Sequence, residues 1–304
     1  MSIVVTGAGG YVGGRLVDHL GSSAVPMLRT PKPWLPDAAV VDLLHDDLAP
    51  RFEGADAVVH LAGASEVRFG GDEAEAAHAE TVETTDRVGR AARAAGVPRL
   101  VFLSTFHVYG GLTDDGVVHE RVEPHPQHLY ARSRLEGERR AAGFGPDHHV
   151  TLRLTNSIGP PVHPAVDRWT LVANDLCAQA AAGGPVVLRS SGHAGRDFVD
   201  LGEVCRVIGE AATGSIPTGT YNLGSGMTTR VLDLAHLVAD AAEEVLGARP
   251  PVEAPPHEGP EPPPFRVSIE ALAEHVDRPD PDLRPALVAT LRLLSRSGSG
   301  DGQP

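Results

Sequence analysis

Three glycines spaced Gly7-x-x-Gly10-x-x-Gly13 follow a short apolar run and open a helical pattern at the start of this 304-residue chain. Gly7 permits a tight turn, Gly10 lets main chain approach a ligand, and Gly13 lets a helix lie close on a strand. A helix N-terminus offers free N–H groups and a partial positive charge. The loop, with Tyr11 and Val12 in the first turn, is therefore expected to cradle a dinucleotide pyrophosphate rather than form a plain turn. An NAD site usually places Asp or Glu about 20 residues further on, against the ribose 2′-hydroxyl. Here the second apolar run ends Met27-Leu28-Arg29-Thr30, with Lys32 behind it and no acid before Asp37. Arg29 suits a 2′-phosphate, so NADPH is expected over NAD; an ordinary exposed arginine is the alternative. Asp42 and Leu43 follow a third short run and are expected near the adenine.

The elements that must position these residues alternate. Residues 2–5, 24–28, 57–61, 99–103 and 150–154 read as buried strands, and 11–20, 74–95 and 130–142 as helices between them. That order argues for βαβ units and a parallel sheet covered on both faces. The second half is less regular: helices are expected over 167–182, 201–212 and 231–246 and a short strand over 186–188. A proline-dense surface loop is expected over 249–264 and a disordered tail over 295–304.

The formal net charge of −14 disfavours nucleic acid and anionic membrane as partners. Cys177 and Cys205 make no disulfide framework, and the fifteen histidines hold no zinc-type spacing, so no metal is expected. The opening Ile3-Val4-Val5 lacks the flanks of a secretory leader, and no apolar run approaches the ~20 residues of a membrane span. A cytoplasmic location is expected.

Further motifs accompany the glycine loop. They are Val58-Val59-His60-Leu61-Ala62-Gly63, Phe102-Leu103-Ser104-Thr105-Phe106-His107-Val108-Tyr109-Gly110 and Tyr130-Ala131-Arg132-Ser133-Arg134. Leu152-Arg153-Leu154-Thr155-Asn156-Ser157-Ile158-Gly159-Pro160, Gly195-Arg196-Asp197-Phe198 and Tyr221-Asn222-Leu223-Gly224 follow. In this order they resemble the extended short-chain dehydrogenase/reductases, the NAD-dependent epimerase/dehydratase family. The resemblance implies an α/β fold: a Rossmann-type doubly wound parallel sheet over residues 1–160, with a return segment near 196–224. A smaller C-terminal substrate-binding domain is implied mainly over 161–294. It implies cofactor contacts at Leu61, Ala62, Gly63, Ser104, Tyr130 and Arg134, and catalytic roles for Thr105 and Tyr130.

The family's Tyr-x-x-x-Lys motif is altered, because Arg134 stands at the lysine position. A tyrosine near pKa 10 needs adjacent positive charge to exchange a proton at neutral pH, and a neighbouring hydroxyl can polarise the substrate oxygen. Arg134 keeps the charge but cannot release a proton. Either Tyr130 works beside a fixed cation, or proton transfer is assisted by substrate or water.

On the substrate side, the resemblance implies contacts from Asn156 and Arg196 to a diphosphate and from Thr105 to the reacting group; His107 is a candidate by its place in the sequence, with a loop histidine the safer reading. A lid over 161–169 would carry Arg168 and Trp169, with helix packing an equal reading for Trp169. Three functions stand. The first is an NADPH-dependent ketoreductase of a small metabolite, polyketide-like or a keto-sugar, resembling atypical antibiotic-tailoring members of the family. The second is a nucleotide-sugar epimerase or 4-ketoreductase; Phe106-His107 stand where dehydratases commonly carry Asp-Glu, which disfavours dehydration. The third is a non-catalytic NAD(P)-binding sensor. Family members commonly dimerise through the helices at 74–95 and 130–142, which leaves a homodimer open.

Overall fold

The computed structural model describes residues 1–64, 66–111, 116–144, 148–263 and 265–298. β1 (Ile3–Thr6) turns through the glycine loop into α1 (Tyr11–Leu20), followed by β2 (Ala24–Leu28), β3 (Ala39–Val40) and α2 (Ala49–Phe52). Next come β4 (Ala57–His60), α3 (Ala74–Ala94), β5 (Arg99–Thr105), the two-residue β6 (Val117–Val118), α4 (Leu129–Phe144) and β7 (His148–Leu154). β8 (Asn156–Ile158), α5 (Val172–Ala181), β9 (Val186–Val187), β10 (Gly195–Asp200), α6 (Leu201–Thr213), β11 (Gly219–Leu223) and β12 (Thr228–Arg230) follow. α7 (Val231–Leu246), β13 (Val252–Glu253), β14 (Arg266–Val267), α8 (Glu270–Ala273) and α9 (Arg284–Gly298) end the described chain.

Seven strands form one parallel sheet in the order β11-β7-β5-β4-β1-β2-β3. The chain winds outward from β1 to β3, then returns to β4 and winds the other way. A crevice therefore opens beyond the carboxyl ends of β1 and β4, where ligands of doubly wound sheets bind. Strand alternation explains the two covered faces. Ile3, Val5, Ala57, Val59 and Val101 pack with Leu16 of α1 and Val204 and Ile208 of α6. Their neighbours Val4, Val58, Leu100 and Phe102 pack on the opposite face with Val88, Ala92 and Ala141 of α3 and α4.

A third core belongs to the smaller C-terminal domain, where α5, α7 and α9 bury Leu176, Leu234, Val238 and Leu287 together with Ile158 and Phe198. Small sheets β12-β10-β8, β13-β9 and β14-β6 tie it to the large sheet's rim. α6 packs on the main sheet, and β11 pairs with β7 at its edge.

Two expected boundaries move. The helix expected from 167 begins at Val172, because Asn174 Nδ2 donates to the Arg168 carbonyl and Trp169 Nε1 donates to the Pro164 carbonyl, holding 164–171 as a turn. At the C-terminus α9 runs to Gly298, four residues into the stretch expected to be disordered, because Leu294 packs on the third core. Residues 299–304 of that tail lie outside the described residues, as does Pro264 of the proline-dense loop. Among the described residues no helix is long and apolar enough to cross a membrane.

Candidate functional site

One cavity of about 1280 Å³ runs from the glycine loop across the carboxyl ends of β1, β4 and β5 to β8 and β10. A single small ligand needs about 300–1,000 Å³, so there is room for a dinucleotide and a second molecule together.

At the first end the floor is main chain. Gly7 has φ +72°, and a Cβ there would lie 2.7 Å from the Ala62 nitrogen; one on Gly13 would lie 2.2 Å from the Gly7 carbonyl oxygen. Only glycine allows β1, α1 and the loop after β4 to meet this closely. Gly10 stands at the N-cap of α1 in extended conformation, and no side chain caps the helix. Its first N–H groups remain available to an anion. Tyr11 joins the cradle through its position, but its hydroxyl donates to the Gly159 carbonyl at 2.7 Å, and burial pushes its ionisation well up. Val12, Leu43, Leu61, Ala62 and Gly63 also line this end.

Arg29 lines the same end, yet it is not idle. Arg29 and Arg68 each donate at 2.7 Å to one oxygen of Glu80, a residue of α3. Asp42 is spent on its own turn, accepting from the Leu44 N–H at 2.9 Å and facing His45 at 3.0 Å, contacts that hold its carboxyl below the usual range.

The centre is built by β5 and α4. A Cβ on Gly137 would lie 2.7 Å from the Phe102 ring, so glycine there lets α4 lie flat on β5. That brings Tyr130 and Arg134, one turn apart on α4, to the strand end carrying Thr105. The Arg134 guanidinium lies 5.6 Å from the Tyr130 ring centre. Arg134 is 8% exposed, and its Nη1 is buried without a partner. Gly63 makes room for it, since a Cβ there would meet the guanidinium at 3.0–3.2 Å. A buried, unsatisfied cation donor beside a bare glycine cradle fits the ribose and nicotinamide half of a dinucleotide. Thr105 Oγ1 accepts from the His107 N–H at 3.3 Å, which leaves the hydroxyl hydrogen to point elsewhere.

Beneath Arg134 lies His60. Its imidazole meets Thr6 Oγ1 at 2.7 Å and Thr85 Oγ1 at 3.1 Å. Burial, with the Arg134 charge behind it, pushes it down to about 3. It is a neutral core residue.

Ser104 lines the cavity at its expected position, and its hydroxyl donates to Glu138 at 2.5 Å. Glu138 also takes a two-pronged bond from Arg153, whose guanidinium lies 4.8 Å from the Tyr109 ring. The Tyr109 hydroxyl donates to Asn222 Oδ1 at 2.7 Å. This buried network ties β5, α4, β7 and β11 together under the site. Sequence reasoning passed over Glu138, although its place one turn beyond Arg134 on the same helix face was a signal.

At the far end Arg168 and Arg196 line the cavity and make no ion pair among the described residues. Asn156 lines it too, but its Nδ2 donates to the Asp197 carbonyl at 2.8 Å. Trp169 is not part of the lining; its indole is held by Pro164 within the turn. Sequence reasoning missed Pro262, Pro263 and Phe265, which reach the cavity from the proline-dense segment, and Glu80, Arg68 and His128. No spacing rule links those positions to the site. His107 and His128 line the wall near Tyr130.

Fully buried Asp197 organises this end. It accepts from Thr155 Oγ1 at 2.9 Å, Ser225 N–H at 2.9 Å and Gly226 N–H at 2.8 Å, and burial pushes its carboxyl up to about 6.

Comparisons with known proteins give the family and the fold. GDP-6-deoxy-D-mannose reductase of Pseudomonas aeruginosa is 28% identical over 263 residues, 80% of this chain and 81% of that protein. dTDP-glucose 4,6-dehydratase of Streptomyces antibioticus is 28% identical over 79% of this chain and 77% of its own. The structure of MoeE5 in complex with UDP-glucuronic acid and NAD superimposes with a TM-score of 0.80 at 25% identity, covering 98% of this chain and 100% of that one. UDP-glucuronic acid 4-epimerase from Bacillus cereus in complex with NAD gives a TM-score of 0.81 at 22% identity, over 99% of each chain. The profile of the NAD dependent epimerase/dehydratase family matches residues 3–224, and the chain belongs to that family.

Proposed function

We propose that the protein is an NADPH-dependent reductase of a keto-sugar carried on a nucleoside diphosphate. One observation carries this reading: the charge of the cavity. Arg29, Lys32, Arg68, Arg134, Arg168 and Arg196 line it against Asp42 and Glu80, in a chain of net charge −14. Cations concentrated in a cleft of an acidic protein attract polyanions, and they gather at both ends. A dinucleotide and a sugar nucleotide bring phosphates to those ends. A polyketide would bring none to Arg168 and Arg196, so of the two ketoreductase substrates the keto-sugar is favoured. The GDP-6-deoxy-D-mannose reductase relative supports the same choice.

Reduction is favoured over epimerisation by the first end. No acid stands between the end of β2 and Asp37, and Glu80 is held between Arg29 and Arg68. Arg29 and Lys32 together suit a 2′-phosphate, and NADPH is a reductant consumed in turnover rather than recycled in place.

A bound nicotinamide would supply the hydride. Thr105 then donates its hydroxyl hydrogen to the carbonyl oxygen, and Tyr130 gives that oxygen its proton. Arg134, fixed and always charged, attracts the negative charge that develops on the Tyr130 oxygen. Arg168 and Arg196 hold the diphosphate, so the sugar is presented between Thr105 and Tyr130.

The test supplies NADPH with a nucleoside-diphosphate 4-keto-6-deoxyhexose and follows absorbance at the nicotinamide band. Oxidation matched by one reduced sugar per NADPH is expected. Purified protein that retains tightly bound NAD and interconverts sugar epimers without consuming NADPH would overturn the reading.

A further inference from the structure

His128 closes the loop before α4 and accepts, through Nδ1, the N–H of Ala131 at 3.3 Å. This is the side-chain bond of a helix N-cap to its third residue. Imidazole can make it only while Nδ1 carries a lone pair. A second proton removes the acceptor and sets a positive charge against the positive end of the helix. The cap is thus conditional on pH, which the usual Ser, Thr, Asn and Asp caps are not near neutrality.

The helix it caps carries Tyr130 in its first turn. The His128 ring lies parallel to the Tyr130 ring, 7° apart in plane with centroids 6.1 Å apart. Phe69 meets the other side of Tyr130 edge-on at 5.5 Å. His107, from the turn after β5, meets His128 edge-on at 5.6 Å. The titratable groups against the His128 ring are therefore His107 from that turn and Tyr130 from α4, with the Arg134 guanidinium and the uncharged Phe69 set against Tyr130. No carboxylate among these contacts compensates a protonated His128. The ring is exposed, so protons reach it from water.

We infer that His128 is a pH-sensitive positioning residue: its neutral imidazole caps α4 and holds Tyr130 in place, and proton uptake releases the cap. The inference rests on the reading of Tyr130 as proton donor for its effect on turnover, but not for its effect on the helix. With the imidazole neutral the first turn of α4 is held. With it protonated the turn frays, and Tyr130 loses its register with Thr105.

The test compares the full-length protein with His128→Ser, whose hydroxyl caps at any pH, and His128→Ala, which caps at none. Hydrogen exchange of residues 129–134 is measured without added ligand at pH 5.5 and 7.5 and corrected for intrinsic rates. The unaltered protein should lose protection in acid by roughly 2- to 30-fold, the range of a lost cap. H128S should show no such pH difference, and H128A should exchange fast at both values. In turnover, the ratio of kcat at pH 5.5 to kcat at pH 7.5 should be several-fold higher in H128S than in the unaltered protein. Equal pH dependence of exchange in all three proteins overturns the inference. Full turnover by Tyr130→Phe with the exchange pattern intact overturns instead the reading of Tyr130 as donor, so the two failures are distinguishable.

Discussion

The two ends of the cavity are built on different plans. The cofactor end is main chain: a Cβ on Gly7 would lie 2.7 Å from the Ala62 nitrogen and one on Gly13 2.2 Å from the Gly7 carbonyl oxygen, and the first N–H groups of α1 carry no side-chain cap. The far end is side chain: Arg168 from a turn, Arg196 from β10, and Pro262, Pro263 and Phe265 from a loop converge on space that no single element defines. A main-chain site is rigid and intolerant of substitution. A side-chain site can be retuned residue by residue.

The contrast can be broken most sharply at Gly13. Gly13→Ala drives a methyl to 2.2 Å from the Gly7 carbonyl oxygen, and backbone cannot yield as a side-chain tip does. Dinucleotide affinity should fall about 100-fold or more, equivalent to roughly 2.7 kcal/mol, read by nicotinamide fluorescence titration. A variant binding within threefold of normal would mean the cradle is not the recognition surface. At the other end, Arg196→Ala should raise KM for the sugar nucleotide about 10- to 100-fold, the worth of one charge-assisted bond, and leave dinucleotide affinity unchanged. Coupled losses would show that the two ends are one site energetically.

This difference in construction also decided what was legible in the sequence. Gly7, Gly10 and Gly13 act through local conformation, which residue type reports directly, and short apolar runs marked the buried strands of the sheet. Thr105, Tyr130 and Arg134 became candidates through the resemblance of their motifs to the family, and β5 and α4 bring all three to the cavity wall. Ser104 and Asn156 lie at the expected positions, but their polar atoms are committed to Glu138 and the Asp197 carbonyl, partners 34 and 41 residues away. For Trp169, stacking on a ligand and packing stood equal in the sequence, and a carbonyl five residues earlier accepts its indole N–H. Glu80 could not be found from sequence, because its meaning depends on α3 bringing it between Arg29 and Arg68.

Between the extremes lies that Arg29–Glu80–Arg68 bridge, a side-chain device at the main-chain end. Arg29 is 66% exposed, so its worth is screened by salt. Arg29→Ala should reduce the preference for NADPH over NADH about tenfold at low ionic strength, a factor that shrinks as salt is added. Glu80→Gln should move the preference the other way by a few-fold, because it frees both arginines. Opposite signs for the two variants are the check; equal signs would mean Glu80 itself meets the ribose.

The smallest net effect is one of opposed signs. Beneath the cofactor end, His60 has a folded pKa of about 3, below the 6.5 of an exposed imidazole. The unfolded chain binds the proton first, so stability present above pH 6.5 is lost as pH falls toward 3, at about 1.4 kcal/mol per unit. Beneath the far end, Asp197 is raised from 3.8 to about 6. Here the folded state binds the proton first, so stability present below pH 3.8 is lost as pH rises through 6, at the same slope. Between about pH 4 and 6 the two nearly cancel. Removing one unmasks the other: relative to the unaltered protein, His60→Asn should gain stability as pH falls through this window, and Asp197→Asn should lose it. Denaturant unfolding at pH 4.5, 5.25 and 6 reads both slopes. Two variants shifting with the same sign would show that the burial of these groups does not set the acid response, and that the two ends, so different in construction, are titrated by something they share.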